Sequence, residues 1–172
     1  ITTLNLFIMI INLKKNIIYI GQFKLKCSVG KGGIKKKIKE GDNITPKGTY
    51  SLGSVYYRSE RVGKFYSKIN CKIIKKNMGW SDDPKSKHYN REIKITENYK
   101  LSHEKLYRKD HKYNFIIPIK YNFIKPIKNK GSAIFLHLTK NYKPTAGCIA
   151  LKMNDFLILL KLINNKTKIK IT

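Results

Sequence analysis

The sequence predicts a mainly β fold: a single domain over residues 1–172, built as a β-sandwich of two packed sheets with one or two short helices. Short strand-like runs follow one another along the chain and are separated by turn residues. In the clearest run, residues 22–27, apolar side chains occupy alternate positions, which is the period of a strand with one buried face. Helix-length segments between these runs are missing, which disfavours a parallel sheet of βαβ units.

The N-terminal third is predicted to form successive strands. The apolar run at residues 4–13 is interpreted as the first strand, because it is too short to span a bilayer. It also lacks the positive leader and the small-residue cleavage site of a signal peptide. Strands are then expected at 16–21 and 22–27, before a glycine-rich turn. The lysine-rich segment 35–39 is expected to be a solvated loop.

The rest of the chain continues this pattern with two helical segments. Ser102 is expected to cap a short helix, Asn154 is expected to cap a second one, and Pro118 is expected to direct its strand to a sheet edge or a bulge. The predicted elements are strands at 49–53, 70–75, 115–121, 132–138 and 168–171, helices at 102–108 and 155–163, and a long polar loop at 77–92.

The chain is strongly basic, with 37 Lys and Arg against 10 Asp and Glu and a net charge of +27. Almost all of this charge is lysine, whereas base recognition and stacking on nucleic acids favour arginine and aromatic residues. No helix-turn-helix, zinc-finger or RNP motif is visible, so no specific nucleic acid is expected as a partner. Two interpretations remain: a solvated basic surface, or a non-catalytic module that binds nucleic acid or an anionic wall polymer.

Three cysteines, at positions 27, 71 and 148, are too few for a disulfide framework. Their spacing does not match a zinc site. Cys27 and Cys71 occupy apolar, strand-like runs and are expected to be small core residues.

Cys148 is the candidate nucleophile. It follows Gly147 and precedes an apolar run, while His137 ends the apolar strand at 132–138. A thiol beside an imidazole base is a common nucleophile for acyl chemistry, and a glycine allows a substrate to approach the backbone closely. The Gly147 and Cys148 amides are candidates for holding an oxyanion. The alternative from spacing alone is a core thiol and a hydrogen-bonded polar histidine.

A second polar cluster lies in the loop at 77–92 and contains Asp82, Asp83, His88, Tyr89 and Asn90. Its carboxylates are candidates for holding a cationic substrate amine, although Asp before Pro is also ordinary turn chemistry. By residue type, two aspartates and a histidine are also compatible with a metal site.

Three further residues are candidates for lining a cleft. Trp80 can either form a cleft wall or fill the core. His111 and Tyr113 lie in a short polar block that precedes the strand at 115–121.

Several blocks of this chain resemble the L,D-transpeptidases, the YkuD-type family that cross-links or trims bacterial peptidoglycan. Residues 40–49 (EGDNITPKGT) resemble the family's EGDxxTPxGT stretch, and 131–137 with 144–151 resemble its catalytic segment. Residues 79–84 (GWSDDP) and 88–91 (HYNR) resemble a GWxDDP…YNR block of one bacterial branch. The blocks occur in the expected order, and the resemblance covers about residues 20–171.

The resemblance implies a cysteine acyltransferase that acts on peptidoglycan stem peptides. Cys148 would attack the donor tetrapeptide, His137 would serve as general base and acid, and Gly147 would help to stabilise the oxyanion. An acceptor amine would complete a cross-link, whereas water would complete carboxypeptidase trimming. No cofactor or metal is implied, and a monomer in the cell envelope or periplasm is expected, without a transmembrane segment.

The chain departs from the broad family pattern at two positions near the nucleophile. Ala146 stands where the pattern has a second histidine directly before the Gly-Cys pair, and Ala150 stands where it has a polar residue. Both replacements remove expected contacts to the donor carboxylate. Lys140 or Lys152 is a candidate for replacing them.

Overall fold

The computed structural model describes residues 8–172, and a ten-stranded mixed sheet is its largest element. The strands in chain order are β1 (Ile10–Lys14), β2 (Ile17–Ile20), β3 (Phe23–Ser28), β4 (Ile34–Lys35), β5 (Thr45–Pro46), β6 (Gly48–Ser51), β7 (Val55–Tyr57), β8 (Cys71–Ile73), β9 (Met78–Ser81), β10 (Glu92–Lys94), β11 (His103–Lys105), β12 (Phe115–Pro118), β13 (Phe135–Leu138), β14 (Ile149–Leu151) and β15 (Lys168–Ile171). The order in the large sheet is β6-β15-β1-β2-β3-β14-β13-β12-β7-β8, and the pairs β1–β15, β7–β8 and β13–β14 are parallel.

The large sheet curls around a single α-helix, α1 (Met153–Leu162). Ile11 on β1 and Leu136 on β13 come from distant strands, yet both belong to the buried cluster that contains Phe156 of α1. Phe156 stacks on Phe115 of β12 with ring centroids 5.4 Å apart. Burial of these apolar side chains against the helix provides the main stabilising term for the fold.

A second, three-stranded sheet (β10-β9-β11) packs on the other face of β13. Trp80 of β9 contacts Phe135 of β13 with ring centroids 5.3 Å apart. Along β13, Phe135 and His137 therefore face the small sheet, while Leu136 and Leu138 face the helix-side core. The predicted mainly β class is confirmed, and so is the alternation along this strand.

The first predicted strand is observed only in part. Strand β1 covers residues 10–14, and the beginning of the apolar run, residues 4–7, lies outside the described residues. Its buried positions, Ile11 and Leu13, alternate as the sequence predicts.

The helix predicted at residues 102–108 is wrong. His103–Lys105 forms strand β11, which pairs antiparallel with β9 and places Glu104 opposite Trp80. The segment lacks an apolar stripe at helical spacing, and backbone hydrogen bonds to β9 are more favourable than an isolated turn. This exchange of helix for strand places the Glu104 side chain beside the cleft described below.

Two local predictions, one about the start of a helix and one about the place of a strand in the sheet, also differ from the structure. Helix α1 begins at Met153, and its N-cap is Lys152 without a side-chain hydrogen bond, so Asn154 lies inside the first turn. Strand β12 is an interior strand between β7 and β13, so its Pro118 marks neither an edge nor a bulge. Pro118 is the last residue of that strand, where its missing N–H is tolerated, and its carbonyl accepts from Gly53 N at 2.7 Å.

The burial of two polar or reactive residues was predicted incorrectly. Cys71 is exposed, because β8 is the last strand of the sheet and all three of its residues face solvent. Lys37 is buried, although it belongs to the predicted solvated segment 35–39. Its ammonium forms an ion pair with Asp42 at 2.5 Å, and the side chains are 2% and 8% exposed.

Asp42 is expected to be a major stabilising residue of the loop after β4. Burial alone would raise the pKa of Asp42, but Lys37 and three backbone N–H donors lower it from 3.8 to about 2. The carboxylate therefore stabilises the fold fully above pH 4, and this contribution is lost as the pH falls towards 2. We expect Asp42→Asn to lower the free energy of unfolding at pH 7 by at least about 2 kcal/mol.

Urea unfolding between pH 2 and 7 measures this effect. The difference between the wild type and Asp42→Asn should shrink as the pH falls below 4. Glu97→Gln, at an exposed turn position, is the matched control and should change stability little. A constant difference across the pH range would contradict the prediction.

Candidate active site

Adjacent parallel strands bring the two principal candidates together. Strands β13 and β14 pair so that His137 lies opposite Ala150, and Cys148 directly precedes β14. The side chains of Cys148, His137 and Tyr113 line one cleft of about 520 Å³. The structure therefore places a thiol, an imidazole and a phenol around one cavity that can accept a peptide.

Cys148 is a partly exposed residue whose thiol is turned inward and held by two backbone groups. Its Sγ–H donates to the Ala133 carbonyl at 3.3 Å, and Phe135 N–H donates to Sγ at 3.3 Å. Burial raises the pKa of the Cys148 thiol to about 12, although the Phe135 N–H lowers it. At neutral pH the sulfur is therefore a protonated thiol rather than a thiolate.

His137 is a neutral imidazole with a defined orientation. Its Nδ1 lies 2.9 Å from the Leu138 carbonyl, so Nδ1 carries the proton and Nε2 is the nitrogen that can accept one. Burial lowers the pKa of His137 to about 4, against the raising effect of this hydrogen bond. The Tyr113 ring packs edge-on against the imidazole at 5.5 Å. These contacts fix a neutral imidazole in the cleft that Cys148 also lines.

The loop before Cys148 is fixed by two threonines. Gly147 N donates to Thr145 Oγ1 at 3.1 Å, and the Thr145 hydroxyl donates to the Cys148 carbonyl at 2.6 Å. Thr45, on β5, donates to the Gly147 carbonyl at 2.8 Å. Gly147 has φ +140, and a Cβ there would lie 3.0 Å from the Ile44 carbonyl oxygen. Only glycine fits this position without strain.

These hydrogen bonds revise the expected oxyanion donors. The Gly147 N–H already has a partner in Thr145, so it is not free to hold an oxyanion. The Cys148 N–H makes no hydrogen bond to any residue in the range 8–172. The backbone conformation at Gly147 requires glycine, and of the two expected amides only that of Cys148 has no partner among residues 8–172.

The 520 Å³ cleft is mainly basic, because four cationic side chains line it against one carboxylate, that of Glu104. Its cationic lining residues are Arg108, Lys112, Lys140 and Lys143, and His111 lies among them. Burial lowers the pKa of His111, and Lys140 lowers it further. Lys152, the other candidate for replacing the missing donor contacts, lines a neighbouring cavity of about 380 Å³ instead.

A smaller, acidic cavity of about 160 Å³ adjoins the 520 Å³ cleft and shares Cys148, Tyr113 and Ala146 with it. Glu40, Asp82 and Glu104 line it, together with Tyr113 and Cys148. Asp82 Oδ1 is buried and has no hydrogen-bond partner among the described residues. Cys148 thus lines both a mainly basic cleft and a mainly acidic cavity.

Hydrogen bonds from the segment 40–49 hold the wall of the acidic cavity in place. Glu40 accepts hydrogen bonds from the Tyr89 hydroxyl and from Ser132 Oγ, the latter at 2.8 Å. The Tyr89 oxygen also accepts from Gly131 N at 3.0 Å. Gly131 has φ +104, and a Cβ there would lie 2.2 Å from Lys37 Cε. Glu40 therefore ties the loop that precedes β13 to the wall of the acidic cavity.

A model of the L,D-transpeptidase catalytic domain family (YkuD) matches residues 7–171, nearly the whole chain. The chain belongs to this family. The family is one of cell-wall enzymes that act on peptidoglycan. No helix among residues 8–172 is both long enough and apolar enough to cross a membrane.

Two solved structures are similar to this L,D-transpeptidase domain. One is the helical cell shape determining protein Pgp2 from Campylobacter jejuni, with 19% identity and a TM-score of 0.48. The other is the K307A mutant of that protein, with 17% identity and a TM-score of 0.47. Each match covers 95% of this chain and 46% of the other, so the chain spans about half the length of those proteins. A comparison with curated protein sequences found no match.

In this L,D-transpeptidase domain, three candidates from the polar loop are buried in the scaffold. Trp80 is 4% exposed and donates to Asn90 Oδ1 at 2.9 Å. Asn90 also accepts from Ala133 N at 3.1 Å and donates to the Tyr121 and Asn122 carbonyls. Since Asn90 and Tyr89 contact the segment 131–133, they position the chain directly before β13.

The other candidates of that loop are divided between the cavity and the surface. Asp82 reaches the acidic cavity, as described. Asp83 accepts from Lys85 N at 2.8 Å and Ser102 N at 3.1 Å, which is turn chemistry. His88 is exposed and lines none of the cavities described here. No group of three or more His, Cys, Asp or Glu side chains within residues 8–172 is arranged to hold a metal ion.

Glu104, Lys37 and Arg108 are among the residues of the site that sequence reasoning missed. Glu104 lines both cavities and forms an ion pair with Arg108 at 3.0 Å. Lys37 lines the acidic cavity beside Glu40. No local signal marks Glu104, because its position depends on pairing with β9. Lys37 lies in a lysine run with the composition of a solvated loop, and its pairing with Asp42 is visible only in the structure. Arg108 is one of only four arginines in the chain, and that rarity was the available signal.

Proposed function

We propose that Cys148 is the nucleophile of a cysteine acyltransferase acting on peptidoglycan stem peptides. The sulfur attacks the carbonyl between the L-centre of the diamino acid and the terminal D-alanine. The C–N bond breaks, D-alanine leaves with a proton on its amine, and a thioester remains on Cys148. An amine from a second stem then forms the cross-link, or water releases the shortened stem.

The observation that carries this proposal is the shared cleft of a neutral thiol and a neutral, oriented imidazole. Burial places the pKa of Cys148 at about 12 and that of His137 at about 4, so neither group is charged at pH 7. A proton transfer before attack would be unfavourable with these values. We infer that His137 Nε2 takes the thiol proton as the sulfur–carbon bond forms and then gives it to the departing amine.

Two groups are candidates for stabilising the charge that develops on the carbonyl oxygen. The Cys148 amide makes no hydrogen bond to residues 8–172. The Tyr113 hydroxyl lies in the same cavity, and burial and the nearby Cys148 keep the pKa of Tyr113 well above its usual range. Tyr113 therefore remains a neutral hydrogen-bond donor throughout the reaction. A single oxyanion donor contributes about 3–4 kcal/mol in comparable enzymes.

The opposite charges of the two cavities support an assignment of substrates. The donor stem carries carboxylates, which suit the cleft lined by Arg108, Lys112 and Lys140. The acceptor amine is cationic before attack, which suits the cavity lined by Asp82 and Glu104. In this arrangement the donor and the acceptor occupy different cavities that meet at Cys148. Ala146 lines both cavities and leaves open space where a larger residue would stand between them.

Asp82 is expected to control how the thioester is resolved. Asp82→Asn removes the charge that attracts the acceptor ammonium but leaves Cys148 and His137 untouched. We expect about a tenfold lower ratio of amine transfer to hydrolysis, with acylation unchanged, because one close charge contributes about 1.4 kcal/mol. Product ratios from liquid chromatography with an added amine acceptor measure this effect. Asp83→Asn is the matched control, and an equal change in both variants would contradict the prediction.

Mass spectrometry of the protein with a disaccharide-tetrapeptide tests the proposed function. The expected result is release of D-alanine, a thioester on the peptide that contains Cys148, and a trimmed or cross-linked product. The alternative, a basic module without catalysis, gives no acylation and a salt-dependent retention of polyanions. Absence of acylation with tetrapeptide and with an activated β-lactam probe would overturn the proposal.

A further inference from the structure

The strongest feature outside the candidate active site is a basic surface with exposed isoleucines on two neighbouring loops. We define the isoleucine–lysine patch as Ile38, Ile124 and Ile127 with the exposed lysines Lys35, Lys36, Lys39, Lys125, Lys128 and Lys130. Ile38, Ile124 and Ile127 are 63%, 87% and 63% exposed, among the most exposed large apolar side chains of the described chain. None of these residues is used in the proposed reaction.

The two loops of the patch lie side by side. Glu40 N donates to the Asn129 carbonyl at 3.0 Å, and this bond joins the segments 35–40 and 124–130. Ile38 and Ile127 each stand two residues before this junction. Both isoleucines are therefore displayed near one point of the surface.

The second loop, residues 124–130, is held in one backbone conformation by hydrogen bonds. The Asn122 side chain accepts from Ile127 N at 2.8 Å and donates to the carbonyls of Ile127 and Gly131, both at 2.9 Å. The backbone of Ile127 is thus fixed on both sides. Its side chain cannot turn into the core without breaking these bonds, so the loop holds an apolar group in water.

The chemistry of the patch identifies the partner. Aliphatic side chains next to lysines are the combination that binds an anionic lipid surface, with apolar groups entering the interface and lysines meeting the headgroups. A nucleic-acid surface favours exposed arginines and stacked aromatic rings. The nearest such pair, Arg91 and Phe123, is only half-exposed, and the two side chains pack on each other at 4.3 Å, so the exposed groups of the patch are isoleucines and lysines. We propose that the isoleucine–lysine patch docks this domain on an anionic membrane surface.

Docking at this patch has a geometric consequence for the active site. The second loop continues into Ser132 and Ala133, which line the acidic cavity beside Cys148, and the first continues into Glu40 on the same cavity. Docking would therefore place the membrane against two loops that continue directly into the wall of that cavity. The inference is independent of the reaction, because it depends only on the exposed loops.

Co-sedimentation of the chain with lipid vesicles tests the proposal. We expect binding to phosphatidylcholine vesicles that contain about a third phosphatidylglycerol, and little binding to pure phosphatidylcholine. Replacing Lys39, Lys125 and Lys128 by glutamate should weaken binding by on the order of 100-fold. Replacing Ile38, Ile124 and Ile127 by serine should weaken it by at least about tenfold.

Matched variants separate the patch from the general basic charge. Lys24, Lys64 and Lys161 are exposed on other elements, and their triple replacement by glutamate should have a clearly smaller effect. Ile73 is 46% exposed on β8, and Ile73→Ser should leave binding unchanged. Thermal unfolding of each variant verifies that it is folded, which is expected because all these side chains face solvent.

A fluorescence measurement tests insertion directly. The chain has one tryptophan, Trp80, which is buried, so a second one reports its own surroundings. The fluorescence emission of the Ile127→Trp variant should shift to shorter wavelength when anionic vesicles are added, whereas the emission of Ile73→Trp should not shift. The proposal is overturned if the wild type does not bind, if both lysine triple variants lose binding equally, or if the isoleucine variant binds as the wild type does. Tighter, isoleucine-independent binding to a single-stranded oligonucleotide would identify a polyanion surface instead.

Discussion

Cys148→Ala is expected to abolish acyl transfer, with a loss on the order of 10⁶-fold that reaches the uncatalysed background. Without the sulfur no thioester forms, and neither an amine nor water has an acyl-enzyme to attack. D-Alanine release from a disaccharide-tetrapeptide, followed by mass spectrometry, measures the loss. The variant also loses two hydrogen bonds to the Ala133 carbonyl and the Phe135 amide, which costs about 1–2 kcal/mol of stability.

The other cysteines provide the controls for this experiment. Cys71→Ala removes an exposed thiol on the edge strand β8 and should leave turnover unchanged. Cys148→Ser keeps a hydroxyl that can make the same two hydrogen bonds, so it should fold like the wild type and remain inactive. Residual thioester formation in Cys148→Ala would assign the chemistry to another residue.

His137→Gln is expected to lower the rate of acylation by about 10²–10⁴-fold, the usual contribution of a general base. Glutamine can retain a hydrogen bond to the Leu138 carbonyl but cannot accept the thiol proton. Single-turnover acylation, followed by intact-protein mass spectrometry, measures the step directly. A variant that acylates at the wild-type rate would contradict the role of His137.

The pH dependence distinguishes this role from a structural one. His137 must be neutral to accept a proton, and burial lowers its pKa to about 4. Wild-type acylation should therefore persist below pH 6 and fall as the pH drops through 4, and the His137→Gln variant should lack this decrease. His111→Gln is the control. It leaves the base His137 intact, so its acylation rate should still fall as the pH drops through 4.

The same titration affects stability in a predictable direction. The unfolded chain binds a proton on this histidine near pH 6.5, but the folded protein does so only near pH 4. The free energy of unfolding of the wild type should therefore decrease by about 3 kcal/mol from this group as the pH falls from 6.5 to 4. His137→Gln should remove that part of the decrease in urea unfolding.

The strand that carries the site could be predicted from local pattern. Alternation along residues 132–138 assigned Phe135 and His137 to one face, and the structure agrees. The family blocks placed Cys148 next to this strand in sequence order. The helix expected at 102–108 was wrong because a strand partner, β9, lies more than twenty residues earlier in the chain. The helix or strand preference of residues 102–108 contains no information about such a distant partner.

The charge and burial of residues around the site could likewise not be predicted from local sequence. The lysine run at 35–39 has the composition of a solvated loop, yet Lys37 is buried because Asp42 folds back to pair with it and Gly131 leaves room for its stem. Asp82, Asp83 and His88 were grouped because they are neighbours in sequence. The fold separates them, since the turn at Asp83 directs Asp82 towards Cys148 and leaves His88 in solvent.

By itself, the sequence determined the mainly β class, the family and the two residues on which the proposed chemistry depends. These properties can be predicted from sequence because they depend on repeated patterns of apolar residues or on short contiguous motifs. Only the tertiary structure decided the shifted pKa values of Cys148 and His137, the hydrogen bond from the Gly147 amide to Thr145, and the basic and acidic cavities that both border Cys148. These properties depend on desolvation and on hydrogen bonds between distant segments, which exist only after the sheet has closed around its core.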